Sequence, residues 1–314
     1  MKKTSNFKQT NRFFRNCLGS IILGLLFIPT FATTLSAQSG EIEKRWQSLE
    51  DSSKIDFTKL PKPVYLEISE KEALKIFDSQ PFFGMYKDNY IVSGIPTNQN
   101  ITRHSADAKF QISIQHRLTK TVLPLNTFLM LTYTQKCFWD IYADSAPFGD
   151  MNFNPGLSLG KPIILDNKLR GMLAFAFEHE SNGRDSIHSR SWNYFALSGS
   201  YFFNANFFAQ SKLWAGWYGG ANKDLYKYRG FSLLALNYRT RDSKLWASAI
   251  INPSMKTGRV NTQIELNFRM NPKLNQYLFV QWYNGYAESL YEYKQYTSMV
   301  RVGICIKPPL RNLY

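Results

Sequence analysis

Apolar and polar residues alternate with a period of two along most of the chain beyond residue 85. In residues 259–270, for example, Val260, Ile264 and Phe268 fall on even positions, whereas the odd positions are polar or charged. Successive side chains of a β-strand point to opposite faces, so this pattern predicts strands with one apolar and one polar face. Twelve segments share it: 84–94, 107–117, 127–138, 152–162, 170–181, 190–203, 206–217, 230–240, 243–252, 259–270, 276–288 and 297–307.

The connections between these segments alternate between short and long. Long strands, an even strand count and alternating connections are typical of outer-membrane barrels, whose apolar face contacts lipid and whose polar face lines the interior. A soluble β-sandwich also alternates, but it buries its apolar face and usually has shorter strands. We therefore predict an all-β protein whose residues 83–314 form a twelve-stranded antiparallel transmembrane β-barrel in the bacterial outer membrane.

The N-terminal residues predict export and a short arm. A basic stretch precedes the apolar run Ile21–Ile28, and small residues follow as far as Ala37. The run is too short to span a bilayer, so residues 1–37 are interpreted as a signal peptide, with a membrane anchor as the alternative. Residues 38–82 are polar and partly helical in pattern, which predicts a periplasmic N-terminal arm.

Charge and cysteine content narrow the function classes. The chain has 38 Lys and Arg against 23 Asp and Glu, a formal net charge of +15. This excess alone would suit nucleic acid or an anionic membrane. No nucleic-acid-binding motif accompanies it and the chain is predicted to be exported, so we expect no nucleic-acid partner. Three cysteines are too few for a disulfide scaffold.

The predicted inward faces carry charged residues of both signs: Glu178, Glu180, Arg259, Glu265 and Arg269. We expect them to form a cross-linked interior rather than an open channel. A catalytically silent barrel acting as a pore or adhesin is the alternative function, and its basis is the polar inward face alone.

The candidate catalytic side chains lie within residues 179–193. His179 and Ser181 continue the apolar row of their strand, and Asn193 begins the matching row of the next strand, so a hairpin should bring Asn193 beside His179. A serine hydroxyl becomes nucleophilic when an imidazole removes its proton, and a third group must orient that imidazole. Polar residues at the membrane interface are the ordinary alternative, and alternation by itself favours them.

A second serine pattern, Gly-x-Ser-x-Gly at residues 156–160, contains Ser158. In serine hydrolases this pattern requires a strand–turn–helix elbow. Here it lies in a strand-like stretch with no helix after it, so we do not expect Ser158 to be catalytic.

Several strings closely resemble the outer membrane phospholipase A family. They are HESNGR at 179–184, SRSWN at 189–193, YTQK at 133–136, SAPF at 145–148, FNPGLSLG at 153–160 and GYAESL at 285–290. The resemblance implies Ser181 as nucleophile, His179 as base and Asn193 as the orienting residue. It also implies a phospholipase A1 and A2 that hydrolyses sn-1 and sn-2 acyl esters of phospholipids, and lysophospholipids, with the active site on the outer-leaflet side.

The same resemblance implies a calcium cofactor and a reversible homodimer as the active form. Calcium would contact the Ser189 hydroxyl and the Arg184 main-chain oxygen, with Ser145 contributed by the partner subunit. Gln135 matches the family's dimer-interface glutamine. The family usually has an acidic residue where Ser186 stands, whereas this chain has Asp185 one position earlier, which makes Asp185 a further candidate ligand.

Overall fold

The computed structural model describes residues 69–79, 81–165, 168–255, 258–271 and 274–308. The predicted signal peptide and residues 38–68 of the predicted arm lie outside the described residues, and both stay predictions. No helix in the described ranges is long and apolar enough to cross a bilayer.

The part of the chain that the structure describes contains thirteen strands, two α-helices and three single-turn 3-10 helices. The strands are β1 (Phe83–Met85), β2 (Asn89–Pro96), β3 (Asp107–Arg117), β4 (Phe128–Trp139), β5 (Phe148–Leu165), β6 (Lys168–Ser181), β7 (Ser191–Phe202), β8 (Phe207–Tyr218), β9 (Ser232–Arg239), β10 (Leu245–Pro253), β11 (Val260–Arg269), β12 (Gln276–Gly285) and β13 (Thr297–Ile306). The α-helices are α1 (Glu70–Ser79) and α2 (Leu225–Arg229), and the 3-10 helices are Pro124–Asn126, Ser186–His188 and Gly220–Asn222.

Strands β2 to β13 form a closed antiparallel barrel. Each pairs with its neighbours in the chain, and β13 returns to pair with β2, with Val302 opposite Ser93. Closure satisfies the main-chain polar groups that an open sheet would leave at its edges. The predicted twelve-stranded barrel is confirmed, and each predicted segment coincides with strand structure to within a few residues.

The first predicted segment is interrupted, which the sequence did not indicate. β1 and β2 both pair with β3 but are separated by three residues. At the break, the Ser113 amide donates to the Asn89 side-chain oxygen, and the Lys87 amide donates to Ser113 Oγ at 3.1 Å. Side-chain acceptors thus replace main-chain ones on both strands, and the ladder is broken there.

The barrel is apolar outside and polar inside, as the alternation predicts. On β6, Phe175 is 50% exposed and Phe177 40%, whereas Glu178 between Phe177 and His179 is 2% exposed. On β7, Phe195 and Leu197 are similarly exposed, while Ala196 and Ser198 are buried. The exposed apolar row is therefore the surface available to lipid.

Ion pairs cross-link the interior. Glu178 pairs with Lys212 at 2.6 Å, and Glu180 pairs with Arg229 at 3.1 Å. Glu265 is also buried and accepts a hydrogen bond from Gln263. The prediction that Arg259 and Arg269 also cross-link the interior was wrong. Arg259 precedes β11 and is exposed, whereas Arg269 ends β11 and donates a hydrogen bond to the Leu274 main-chain oxygen.

Two connecting segments fill the barrel mouth at the end that carries the long loops. One contains α2, and the other is residues 286–296 between β12 and β13, here called the plug loop. Leu225 and Leu290 are fully buried in one apolar cluster with Tyr293, Trp192 and Tyr194. These contacts make the mouth a packed region rather than an open channel entrance.

A buried carboxylate fixes the plug loop to the barrel wall. Glu288 pairs with Lys109 at 2.8 Å and with Arg301 at 2.6 Å, and Arg301 also pairs with Asp107. Burial by itself would raise the pKa of the Glu288 carboxyl, but Arg301 and Lys109 outweigh burial and lower that pKa to about 2.

Helix α1 belongs to the range predicted as the arm and contacts the opposite end of the barrel. Ser69 and Glu72 cap it reciprocally, since Glu72 accepts from the Ser69 amide at 2.9 Å and donates its own amide to Ser69 Oγ. Near its end, the Asp78 carboxylate accepts from the amide and hydroxyl of Thr121, in the β3–β4 connection. These bonds attach the helix to the barrel.

Candidate active site

Backbone register brings His179 and Asn193 together. The two residues are directly opposite each other on β6 and β7, and His179 Nδ1 lies 2.8 Å from Asn193 Oδ1. An amide oxygen carries no hydrogen, so it accepts from Nδ1–H, which leaves Nε2 of the neutral ring as a proton acceptor. The predicted adjacency of these two residues is confirmed, and its geometry suits an imidazole base held by a neutral amide.

Ser181 lies two residues beyond His179 and therefore on the same face of β6. Its cross-strand neighbours are Phe153 on β5 and Ser191 on β7. Its hydroxyl makes no hydrogen bond with any residue that the structure describes, His179 included. Catalytic hydrogen bonds are often long without substrate and tighten in the reacting complex. The lack of a Ser181–His179 hydrogen bond in this structure is therefore compatible with proton transfer from Ser181 to His179.

Aromatic side chains border the His179–Asn193 pair on the lipid-exposed face. The rings of Phe177, Phe195 and Trp217 all contact one another, with centroid distances of 5.4 to 6.0 Å, and Phe175 stacks on Phe195 at 5.7 Å. Trp217 on β8 is the cross-strand neighbour of Asn193. His179, Ser181 and Asn193 thus adjoin an apolar surface that hydrocarbon chains can contact.

Residues 182–190, here called the site loop, join β6 to β7. Asn182 is buried and organises the loop: its Oδ1 accepts from the amides of Arg190 at 2.9 Å and Arg184 at 3.4 Å, and its Nδ2 donates to the His188 oxygen at 2.9 Å. Gly183 has φ +64°, and a Cβ there would come within 2.9 Å of Phe153. Both the conformation and the close approach favour glycine.

The site loop also contains oxygens suited to calcium. The Arg184 main-chain oxygen and the Ser189 hydroxyl accept no hydrogen bond from any described residue, and both residues are partly exposed. Asp185 is exposed beside them, whereas Ser145 lies in the separate 140–147 connection with φ +66°. Within the described ranges, no group of three or more acidic, histidine or cysteine side chains is arranged to hold a metal ion. Calcium accepts main-chain, hydroxyl and carboxylate oxygens, so these unpaired oxygens fit that ion.

Gln135 lies on the same outer surface, two strands away from Ser181. Its cross-strand neighbour on β5 is Phe153, whose other neighbour is Ser181. The Gln135 side chain is half-buried, accepts from the Tyr133 hydroxyl at 3.1 Å and donates to Cys137 Sγ at 3.4 Å. An amide exposed near the lipid-facing aromatic surface is costly unless it is hydrogen-bonded.

Comparison with known proteins connects this geometry with one enzyme family. A family described as phospholipase A1 matches residues 78–306. Phospholipase A1 of Escherichia coli K12 is 31% identical over 210 residues, which are 64% of this chain and 69% of that protein. The chain belongs to the phospholipase A1 family.

Solved structures of the family agree with the fold. The calcium-bound dimer of Salmonella typhi outer membrane phospholipase superposes with a TM-score of 0.64 at 26% identity, over 74% of this chain and 96% of that one. Outer membrane phospholipase A of Escherichia coli gives a TM-score of 0.63 at 26% identity, over 73% and 99% of the two chains. One form of the Escherichia coli protein carries alanine in place of an active-site asparagine. Fold and family together establish this chain as an outer-membrane β-barrel of an enzyme family.

Within this phospholipase A1 family member, Ser158 is separated from the lipid face. It is 2% exposed, lies in the middle of β5 opposite Met130 and Ala176, and points away from the exposed residues Leu157 and Leu159. The Gly-x-Ser-x-Gly pattern therefore lies within a strand, as expected, without the elbow that serine hydrolases require.

Sequence reasoning did not identify two residues that hold the site loop. The sequence does contain a cue for Asn182, since a short amide side chain at the end of a strand commonly forms hydrogen bonds with the backbone of the following loop. No local sequence pattern indicates the role of Tyr291, because it lies about a hundred residues further along the chain. Its hydroxyl is hydrogen-bonded to His188 Nδ1 at 2.7 Å, and its ring faces the guanidinium groups of Arg184 and Arg190.

Proposed function

We propose that this protein hydrolyses the sn-1 and sn-2 acyl esters of phospholipids, and of lysophospholipids, in the outer membrane. Ser181 is the nucleophile, His179 the base and Asn193 the orienting residue. The observation that carries the proposal is the His179–Asn193 hydrogen bond on the lipid-exposed face, two residues from a serine whose hydroxyl is free to react. Family membership supports the reaction class.

The chemistry is acyl transfer in two halves. Ser181 Oγ attacks the ester carbonyl while His179 Nε2 takes its proton, and the resulting imidazolium is stabilised by the Asn193 oxygen at Nδ1. The imidazolium then protonates the departing lysophospholipid alcohol. In the second half, His179 removes a proton from water, which attacks the acyl-serine and releases a fatty acid and free Ser181.

Calcium is the proposed cofactor. The Arg184 main-chain oxygen and the Ser189 hydroxyl would bind it, with Asp185 as a further ligand and a main-chain contact from the partner subunit's Ser145. When bound, the ion supplies positive charge for the oxyanion that develops on the ester carbonyl. The unpaired oxygens of the site loop and the calcium-bound state of the Salmonella typhi relative support this assignment.

The active form is proposed to be a reversible homodimer with Gln135 at its interface. Gln135 adjoins Phe153, which adjoins Ser181, so a partner that covers the amide would also border the catalytic serine. The dimeric state of the Salmonella typhi relative supports the proposal. Two such barrels would enclose lipid-facing clefts between them in which acyl chains can lie.

The pore or adhesin alternative has less support. Buried ion pairs cross the interior, and the plug loop and α2 fill the mouth at the long-loop end. Charged side chains, among them Glu180, Lys212 and Arg229, line a cavity of about 210 Å³ inside the barrel. Steady single-channel conductance without esterase activity would favour a pore.

The proposed reaction is tested by refolding the full chain in detergent and measuring fatty-acid release from a phospholipid with different acyl chains at sn-1 and sn-2. We expect release with CaCl2 and loss of release with a chelator. Ser181→Ala should abolish release, whereas Ser191→Ala, the matched serine on the neighbouring strand, should retain it. Full activity of Ser181→Ala would refute the assignment.

A further inference from the structure

Polar contacts alone hold the site loop in place. Besides the Asn182 bonds, the Arg190 guanidinium donates to the Ile187 and Ser189 main-chain oxygens, and the Arg184 guanidinium donates to the Gly149 oxygen on β5. The loop contains no apolar residue in the core, since Ile187 is 77% exposed, and Ser186 has a strained φ of +53°. Short polar loops of this kind open easily unless neighbouring segments contact them. The placement of the Arg184 and Ser189 oxygens therefore depends partly on contacts that come from outside the loop.

Tyr291 makes such contacts with both halves of the site loop. The Arg184 guanidinium carbon lies 4.2 Å from the ring centroid and that of Arg190 lies 5.4 Å from it. The hydroxyl is hydrogen-bonded to His188 Nδ1 at 2.7 Å. Tyr291 thus contacts Arg184, whose main-chain oxygen is one proposed calcium ligand. It also contacts His188 and Arg190, the two neighbours of Ser189, whose hydroxyl is the other proposed ligand.

Tyr291 is itself fixed to the barrel. Its amide donates to Asp150 Oδ2 at 2.9 Å, and the amide of Leu290 donates to Asn152 Oδ1 at 3.1 Å. Leu290 is fully buried, and Glu288 is held by two ion pairs. The backbone of the plug loop at this point is therefore a rigid support for the tyrosine ring.

We propose that Tyr291 is a positioning residue that holds the site loop in its calcium-binding conformation. The ring attracts the two guanidinium groups, and the hydroxyl fixes His188 between them. Pre-ordering the loop reduces the conformational entropy that calcium binding must otherwise overcome. This inference rests on the proposed calcium requirement and adds to it the residue that links calcium binding to the packing of the barrel mouth.

The test uses the refolded full chain and two substitutions at this position. Tyr291→Ala removes the ring and the hydroxyl, whereas Tyr291→Phe keeps the ring over both arginines. Tyr296→Ala is the matched control, because Tyr296 is in the same plug loop but contacts Tyr286 and Arg259 instead. Heat-modified mobility on gels checks that each barrel is folded.

Calcium affinity is measured by titration calorimetry with CaCl2 alone, without substrate. We expect Tyr291→Ala to weaken the Kd roughly tenfold, equivalent to about 1.4 kcal/mol. Tyr291→Phe should weaken it about threefold, and Tyr296→Ala should leave it unchanged. At saturating calcium, kcat of Tyr291→Ala should return to near the native value, since a positioning residue acts through the ion.

Trypsin cleavage after Arg184 and Arg190, followed by mass spectrometry, reports loop order without calcium. Tyr291→Ala should be cut faster at these two bonds than the native chain or Tyr296→Ala. Native calcium affinity and native cleavage rates in Tyr291→Ala would overturn the inference, as would a native protein that binds no calcium. Calcium binding without phospholipid hydrolysis would instead refute the proposed reaction, and the titration would still test Tyr291.

Discussion

At the scale of single residues, the candidate triad is held mainly by strand backbone. His179 and Asn193 are cross-strand partners, and Ser181 follows two residues later on the same face. A two-residue period and one hairpin are sufficient to predict this juxtaposition, which is why it could be read from the sequence. The site loop differs, because Tyr291 reaches it from the plug loop, and no local pattern encodes that contact.

Replacing Asn193 tests the orienting role. Asn193→Ala removes the acceptor of the His179 Nδ1 proton but keeps both the serine and the imidazole. A hydrogen bond of this kind contributes about 1 kcal/mol, so we expect kcat for phospholipid hydrolysis to fall by roughly fivefold.

Loss of the base itself should be more severe, with His179→Ala costing roughly 10²- to 10⁴-fold in kcat. Steady-state assays of both variants at saturating calcium provide the comparison. Equal losses in the two variants would argue against a purely orienting role for Asn193, and native kcat in Asn193→Ala would exclude it from the mechanism.

At the scale of secondary-structure elements, alternation predicts strands and their faces well because lipid and the polar interior impose opposite requirements on successive residues. It fails where other forces act. The β1–β2 break arises from side-chain hydrogen bonds around Ser113. Arg259 and Arg269 follow the alternation but lie at the ends of β11, beyond the enclosed interior. Alternation also gives no sign that the plug loop packs into the barrel mouth, where Leu290 and Tyr293 are buried.

The Glu288 ion pairs predict an acid-sensitive plug loop. Because the folded-state pKa of Glu288 is lowered from 4.5 to about 2, its contribution to the free energy of unfolding is complete above about pH 4.5. That contribution is lost as the pH falls from about 4.5 towards 2. Urea unfolding in detergent, followed by tryptophan fluorescence at pH 7 and at pH 3, measures it.

Glu288→Gln should lower the free energy of unfolding at pH 7 by about 3 kcal/mol, since it leaves Lys109 buried without a carboxylate. The variant should also lose the Glu288 component of the acid dependence. Asp242→Asn, in an exposed ion pair with Lys244, is the control and should change stability little. If Glu288→Gln and Asp242→Asn were equally stable at pH 7, the plug loop would not depend on these ion pairs.

At the scale of the whole molecule, one face of the barrel combines Gln135, Phe153 and Ser181 in adjacent strands. A second copy placed there would cover the amide and border Ser181, the proposed nucleophile. A permanently competent enzyme on this face would degrade its own membrane, so the proposed calcium-dependent assembly would offer a means of control.

Gln135→Ala should weaken the dimer without abolishing it. Polar contacts between helices in membranes contribute about 0.6 kcal/mol on average, and Gln135 has partners in its own chain, so we expect a change of about threefold in the dimer dissociation constant. Ultracentrifugation in detergent, with and without calcium, measures this constant. A monomer with full calcium-dependent activity would refute the dimer requirement and leave the triad assignment standing.

The most direct test of the central claim is covalent labelling of the refolded protein with a fluorophosphonate ester, which bonds to an activated serine oxygen and releases fluoride. Tryptic mass spectrometry then locates the adduct. We predict a single adduct on Ser181 that requires calcium, is lost in His179→Ala and is retained in Ser191→Ala. Labelling at Ser158, or phospholipid hydrolysis that persists after Ser181 is replaced by alanine, would contradict a lipid-facing Ser181–His179–Asn193 active site.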